Sequence, residues 1–257
     1  MIWIIFLITL IALFGAAVFS FVNVAAWRIP RKMDFIKGSS QCPSCAHKLS
    51  PLDMLPIFGY LLLGGKCRYC KAKISLRYFA LEILGSFFAL LCLWKCSGDY
   101  VKALLDFAFI SVLVFIALID AATMEIPDTA SVIIALLGVL SAVFIGGDTD
   151  AVGILDRLIG LICVSLPLLL ITMALPSAFG GGDIKLMAST GLYLGWKLNC
   201  FAAFAAILLG GGYAIYLLIT KKASRGEHFA FGPFLCAGLI ISLFAGDYLI
   251  KCYLSLF

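Results

Sequence analysis

The chain has 257 residues, 63% of them hydrophobic and only 13% charged, with a formal net charge of +5. That balance excludes an ordinary soluble domain. A helix needs about 20 apolar residues to cross a bilayer, and lipid-exposed backbone must satisfy its hydrogen bonds within its own helix. The apolar runs therefore read as membrane helices, and the fold class as an all-α polytopic membrane protein.

The first run, 2–26, carries no charge and has none before it. It lacks the basic region of a cleaved signal peptide and is expected to stay as helix 1. Residues 27–77 form the long polar stretch, with ten of the nineteen basic residues: Arg28, Arg31, Lys32, Lys37, Lys48, Lys66, Arg68, Lys71, Lys73 and Arg77. The positive-inside rule places this segment in the cytoplasm and the N-terminus outside. With membrane helices on both sides, the charge points to anionic membrane lipid rather than to nucleic acid.

Further helices are expected at 78–94, 103–119, 129–145 and 158–175, then a short one at 184–195, a long one at 200–220 and a last one from about 229. That makes about eight. The sixth is too short to span alone at 1.5 Å per residue. The turn 95–102 and the acidic turn 148–156 fall outside, whereas 120–128, 176–185 and the basic loop 221–228 face the cytoplasm. The expected division is 1–26 as helix 1, 27–77 as a small metal-binding domain and 78–257 as the membrane-embedded remainder, with no evident internal repeat.

Cys42-Pro43-Ser44-Cys45 and Cys67-Arg68-Tyr69-Cys70 are two CxxC pairs that suit one tetrahedral zinc ion. A polar loop of this size buries too little apolar surface to hold a shape alone, so a structural metal would offset its ordering entropy. His47 reads as a solvated loop residue. Cys92, Cys96, Cys163, Cys200, Cys236 and Cys252 lie in or beside apolar runs and read as packing residues.

Asp120 ends an apolar run, and Asp183 follows Gly180-Gly181-Gly182 where a helix begins. Singly, each reads as a helix cap or a solvated loop residue. As a pair on one side of the membrane they suit aspartyl proteolysis, in which an ionised carboxylate takes a proton from water and a protonated one polarises the scissile carbonyl. Helix direction disfavours negative charge at Asp120 and favours it at Asp183, so the shared proton is expected on Asp120 and the base role on Asp183. Asp128 is the rival to Asp120 and reads as the cap of the next helix. A cation- or proton-coupled transporter using Asp120 and Asp183 is the alternative from another class, and a zinc-stabilised scaffold a third.

Gly180-Gly181-Gly182-Asp183 resembles the GxGD motif of polytopic aspartyl proteases, and the continuation Ile184-Lys185-Leu186 resembles the form in type IV prepilin leader peptidases. The paired CxxC motifs, Pro56 with Tyr60-Leu61, Asp120 to Ile126-Pro127-Asp128, and Phe231-Gly232-Pro233-Phe234 follow in that family's order. Gly59 departs from the pattern where serine is common, and Phe79 where proline is common.

The resemblance implies a bifunctional enzyme of the bacterial inner membrane. Asp120 and Asp183 would be catalytic, with Gly180 and Gly182 supporting the motif, and Cys42, Cys45, Cys67 and Cys70 would hold structural zinc. Type IV prepilins or pseudopilins are the implied substrates. The resemblance also implies N-methylation of the new N-terminus from S-adenosylmethionine, with the residues that bind that cofactor unassigned.

Overall fold

A computed structural model of the chain describes residues 2–34, 41–42, 44–145, 152–175, 179–220 and 229–255. Lys37, Asp148, Asp150 and the basic segment 221–228 lie outside them. The helices are α1 (Ile2–Arg28), α2 (Phe58–Leu62), α3 (Leu76–Lys95), α4 (Tyr100–Thr123), α5 (Asp128–Ile145), α6 (Ile154–Cys163), α7 (Ser165–Ala174), α8 (Gly181–Ile219) and α9 (Gly232–Leu254). There are no strands among the described residues, only two isolated bridges.

Among the described residues seven segments are apolar and long enough to cross a membrane, with α6 and α7 counting as one segment, Ile154–Ala174. The protein is an all-helical, multi-pass membrane protein. The expected helices 184–195 and 200–220 are the two parts of α8, whose 39 residues are interrupted at Gly195 (φ 77°, ψ 173°). Counted separately, they restore the expected eight. A straight helix of that length would measure roughly 58 Å at 1.5 Å per residue, about twice a hydrocarbon core, so the break is where the segment turns into two elements.

The chain divides into two compact units, Met1–Phe107 and Ala108–Phe257. In the first, Ala12 meets Ser86, Gly15 meets Gly85 and Ser20 meets Glu82, an antiparallel register of α1 on α3. A β-carbon on Gly15 or Gly85 would strike the other's carbonyl oxygen, so glycine lets the two backbones touch where dispersion replaces the hydrophobic effect. Phe19 fills the next layer against Phe88 and Phe107, with ring centroids 6.2 and 5.9 Å away.

The polar segment docks on the start of α3. Tyr60 stacks on Phe79 at 4.9 Å, and Ile57 N–H donates to Glu82 Oε2 at 2.7 Å. Both departures from the family pattern thus have partners here: Phe79 carries the stack, and a β-carbon at Gly59 would collide with the Asp53 carbonyl. Asp53 in turn pairs with Arg68 at 2.7 Å. Burial works against ionised Asp53, but hydrogen bonds from Arg68 and Ser50 outweigh it and hold the carboxyl below its usual range.

In the second unit α5, α6, α7 and α9 all pack on α8. Gly160 of α6 and Gly191 of α8 touch backbone to backbone, and Gly138 of α5 lies against Leu192. The non-helical backbone at Gly195 disturbs the i+4 ladder of the preceding turn. Arg157, 5% exposed, supplies donors there. Its Nη1 donates to the carbonyls of Leu192 (2.8 Å), Gly138 (3.0 Å) and Tyr193 (3.4 Å), and its Nη2 to Ser141 Oγ (3.0 Å). A guanidinium at the C-terminal end of a helix segment is also favoured by the segment's dipole. Asn199, just past the break, donates to Met187 and Gly160 carbonyls at 2.9 and 3.2 Å.

Candidate active site

Asp120 lies in the last turn of α4, which closes through Met124 N–H donating to the Asp120 carbonyl at 2.8 Å with Met124 at φ 56°. The turn Glu125-Ile126-Pro127 then leads to Asp128, the first residue of α5. Asp183 sits three residues into α8, not at its cap: Gly180 is the cap residue, and its N–H donates to Asp183 Oδ2 at 3.2 Å. Glycine has no side chain to reciprocate, so only this half of a capping box is present.

The two carboxylates line one cleft of about 490 Å³ together with the turn 124–128 and Gly180, Gly181 and Gly182. Asp120 is 5% exposed and Asp183 9%. Three glycines permit the approach. A β-carbon on Gly182 would lie 2.8 Å from Ile126 Cβ, one on Gly180 3.2 Å from Asp183 Oδ2, and one on Gly232 2.6 Å from Asp120 Oδ2.

Gly232 opens α9 and donates its N–H to Asp120 Oδ2 at 2.9 Å. Pro233 follows it, and a proline in the first turn removes only a donor the helix does not use. The asymmetry expected from helix direction is therefore absent. Asp120 ends one helix, but it also receives an N–H from the start of another, as Asp183 does. The two carboxylates have matched backbone partners, and helix direction does not assign their roles.

Asp128, the rival to Asp120, takes Lys185 Nζ on both oxygens at 2.8 Å. Both side chains are more than half exposed, so this is a surface ion pair worth at most about 1 kcal/mol. It bridges α5 to the start of α8 beside the cleft. The tripeptide Ile126-Pro127-Asp128 thus supplies a contact for Gly182 and a tether for Lys185.

In the other unit the four cysteine Sγ atoms all lie within 4.8 Å of one another, and Cys42 Sγ and Cys70 Sγ are 3.7 Å apart. Tetrahedral Zn–S bonds of about 2.3 Å place sulfurs roughly 3.8 Å apart, so small side-chain shifts let the cluster hold a metal ion. The two halves are copies. Cys42 N–H donates to the His47 carbonyl and Ala46 N–H to the Cys42 carbonyl, and Cys67 with Ala72 and Lys71 with Cys67 repeat both bonds. Ala46 (φ 56°) and Lys71 (φ 60°) make the same left-handed turn, and the bridges Gln41 with Lys48 and Lys66 with Lys73 flank both. This is a local repeat that the sequence reading missed, because beyond the cysteines its signal is backbone shape.

Backbone N–H groups of Ser44 and Cys45 pull the Cys42 thiol down to about 6. Cys45 goes up to about 11: the His47 backbone N–H opposes the rise, and desolvation with the Cys42 and Cys70 thiols outweighs it. The His47 ring lies tilted against Tyr69 with ring centroids 3.6 Å apart, outside the sulfur cluster.

A helical membrane protein with paired carboxylates where helices begin and end is the class this fold defines. Residues 13–96 match the bacterial peptidase A24 N-terminal domain, and residues 107–215 match the type IV leader peptidase family. The chain is 30% identical to the prepilin leader peptidase/N-methyltransferase of Bacillus subtilis (strain 168), over 97% of this chain and 99% of that one. It is 30% identical to the enzyme of that name from Neisseria gonorrhoeae, over 94% and 92%, and 28% identical to that of Pseudomonas putida, over the same shares. No solved structure matches it. The chain belongs to the type IV leader peptidase family. That assignment leaves the transporter alternative without support.

Proposed function

We propose that this chain removes the short basic leader of type IV prepilins or pseudopilins at the cytoplasmic face of the inner membrane. Asp120 and Asp183 are the catalytic pair, Gly180 and Gly182 let them approach, and methylation of the new N-terminus follows. In this reading residues 1–26 anchor the chain with its N-terminus outside. Residues 27–77 form the cytoplasmic zinc domain, and 78–257 carry the protease.

The observation that carries the reading is the shared cleft. Two buried carboxylates on different helices each take one backbone N–H and leave their remaining lone pairs toward common space. A water between them loses a proton to the ionised member as it attacks the scissile carbonyl, while the protonated member donates to the developing oxyanion. Titration belongs to the pair. Gly232 N–H and Gly180 N–H each fix one oxygen, so the free oxygens face the reacting atoms.

Zinc at Cys42, Cys45, Cys67 and Cys70 is structural here, since four thiolates close a tetrahedron and leave no position for substrate. The methyltransferase name of the relatives implies S-adenosylmethionine as cofactor, which supplies an electrophilic methyl group. Coexpression with a candidate prepilin and intact-mass spectrometry tests both halves, reporting leader loss and a 14 Da methyl gain together. Full cleavage by Asp120→Asn or Asp183→Asn protein would overturn the assignment of the pair.

A further inference from the structure

The apolar interface of α1 and α3 contains polar side chains whose bonding capacity is not filled. Glu82, 9% exposed, accepts from Ser20 Oγ at 2.9 Å on one oxygen and from Ile57 N–H at 2.7 Å on the other. A carboxylate has about four lone-pair positions, so two stay open. Glu82 has no ion-pair partner among the described residues. Asn23 is 4% exposed, and its amide makes no hydrogen bond among the described residues.

The register of α1 on α3 brings these groups to adjoining turns of one interface. Asn23 follows Ser20 by three residues on the buried stripe of α1, which also holds Phe19, Val22 and Ala26, so both face α3. The antiparallel register carries Asn23 one turn beyond Ser20, toward the start of α3 where Ile57 reaches Glu82. Ile57 itself is β-branched and held at φ 65°, ψ −54°. Such a backbone persists only where the surroundings fix it. It aims the polar segment's N–H at Glu82 rather than at solvent.

We infer that Glu82 and Asn23 bind the positively charged centre of a methylation reactant, an ammonium or sulfonium group. A desolvated carboxylate with an adjacent open amide oxygen is costly alone and complementary to a cation, whose attraction to it strengthens as water is excluded. Resting on the proposed function, methylation brings two such cations, the α-ammonium of the cut substrate and the sulfonium of S-adenosylmethionine. An ammonium donates N–H bonds to Glu82 and to Asn23 Oδ1, whereas a sulfonium is held by charge. α3 would then lend Glu82 to the second activity, in the unit that holds the cysteine cluster.

The test uses the full-length, metal-loaded protein in detergent, wild type against Glu82→Gln and Asn23→Ala, with metal content and melting midpoint as integrity checks. Equilibrium dialysis measures S-adenosylmethionine and its uncharged product S-adenosylhomocysteine, and mass spectrometry gives KM for methylation of a pre-cut pilin. A sulfonium site predicts at least tenfold weaker S-adenosylmethionine binding in Glu82→Gln with S-adenosylhomocysteine unchanged. An ammonium site predicts unchanged cofactor binding and at least a tenfold rise in KM for the pilin. Values within twofold of wild type in every arm, for both variants, overturn the inference while wild-type methylation stands. If Glu82→Gln sheds metal or melts, Asn23→Ala decides by the same readouts, because it removes no hydrogen bond between described residues. A wild type that neither binds S-adenosylmethionine nor methylates overturns the methylation reading and this inference with it.

Discussion

The cysteine cluster and the aspartate cleft solve the same problem, holding charged side chains close together, by opposite means. In the cleft the backbone does it: N–H groups at the starts of α8 and α9 each fix one carboxylate oxygen, and glycines at 182 and 232 clear the space. In the cluster two copies of one turn point four thiols at a common centre, and once ionised they would repel without an ion between them. A site held by helix ends is as stable as the bundle around it. One held by ligands is as stable as its metal.

That contrast can be broken at several points. The largest effect belongs to the carboxylates: Asp120→Asn or Asp183→Asn should lower prepilin cleavage by roughly 10³-fold, within the range for acid–base groups, with metal content unchanged by elemental analysis. Gly232→Ala should cost about 10²-fold, because the added carbon displaces Asp120 rather than removing it. Cleavage at wild-type rate by Gly232→Ala would deny backbone control of the cleft. Replacing Cys42, Cys45, Cys67 and Cys70 together by Ser should abolish the proposed zinc binding, read by elemental analysis against wild type, and open the segment to proteolysis.

Smaller effects sharpen the picture. Arg157→Met takes a buried donor from several carbonyls and should cost roughly 3 kcal/mol in detergent unfolding titrations. Asp53 offers a pH test. Its folded pKa is lowered, so its contribution to stability is present above the unfolded value near pH 4 and is lost as pH falls through the folded one. Arg68 is half exposed, so that contribution stays below about 1 kcal/mol. Arg68→Met should move the Asp53 carboxyl titration, followed by carbon NMR, to higher pH.

Much of this was legible in the residues. Apolar runs gave the helices, because only helices satisfy backbone in lipid. The CxxC spacing located the cluster, and the glycine run located Asp183. The role of Gly232 was not legible, since its N–H meets Asp120 across 112 positions of chain. Nor was the continuity of α8, because Trp196 to Asn199 reads as a polar interruption while in space it continues one element past Gly195. Arg157, Glu82 and Asn23 did leave a signal, each a polar residue in or at the edge of an apolar run. Hydropathy averages over them, and only the packing tells which groups they serve.

Arg157 also bears on how the protein is made. Synthesis runs from the N-terminus, so α6 leaves the ribosome before the Leu192 and Tyr193 carbonyls exist. Until α8 arrives, the partners of the guanidinium among the described residues are Gly138, Ser141 and Val152. A cation is costly in lipid and favoured near water, so α6 is expected to seat late, once α8 has arrived. The break at Gly195 then completes the membrane domain, the carbonyls before it receiving a helix made some thirty residues earlier.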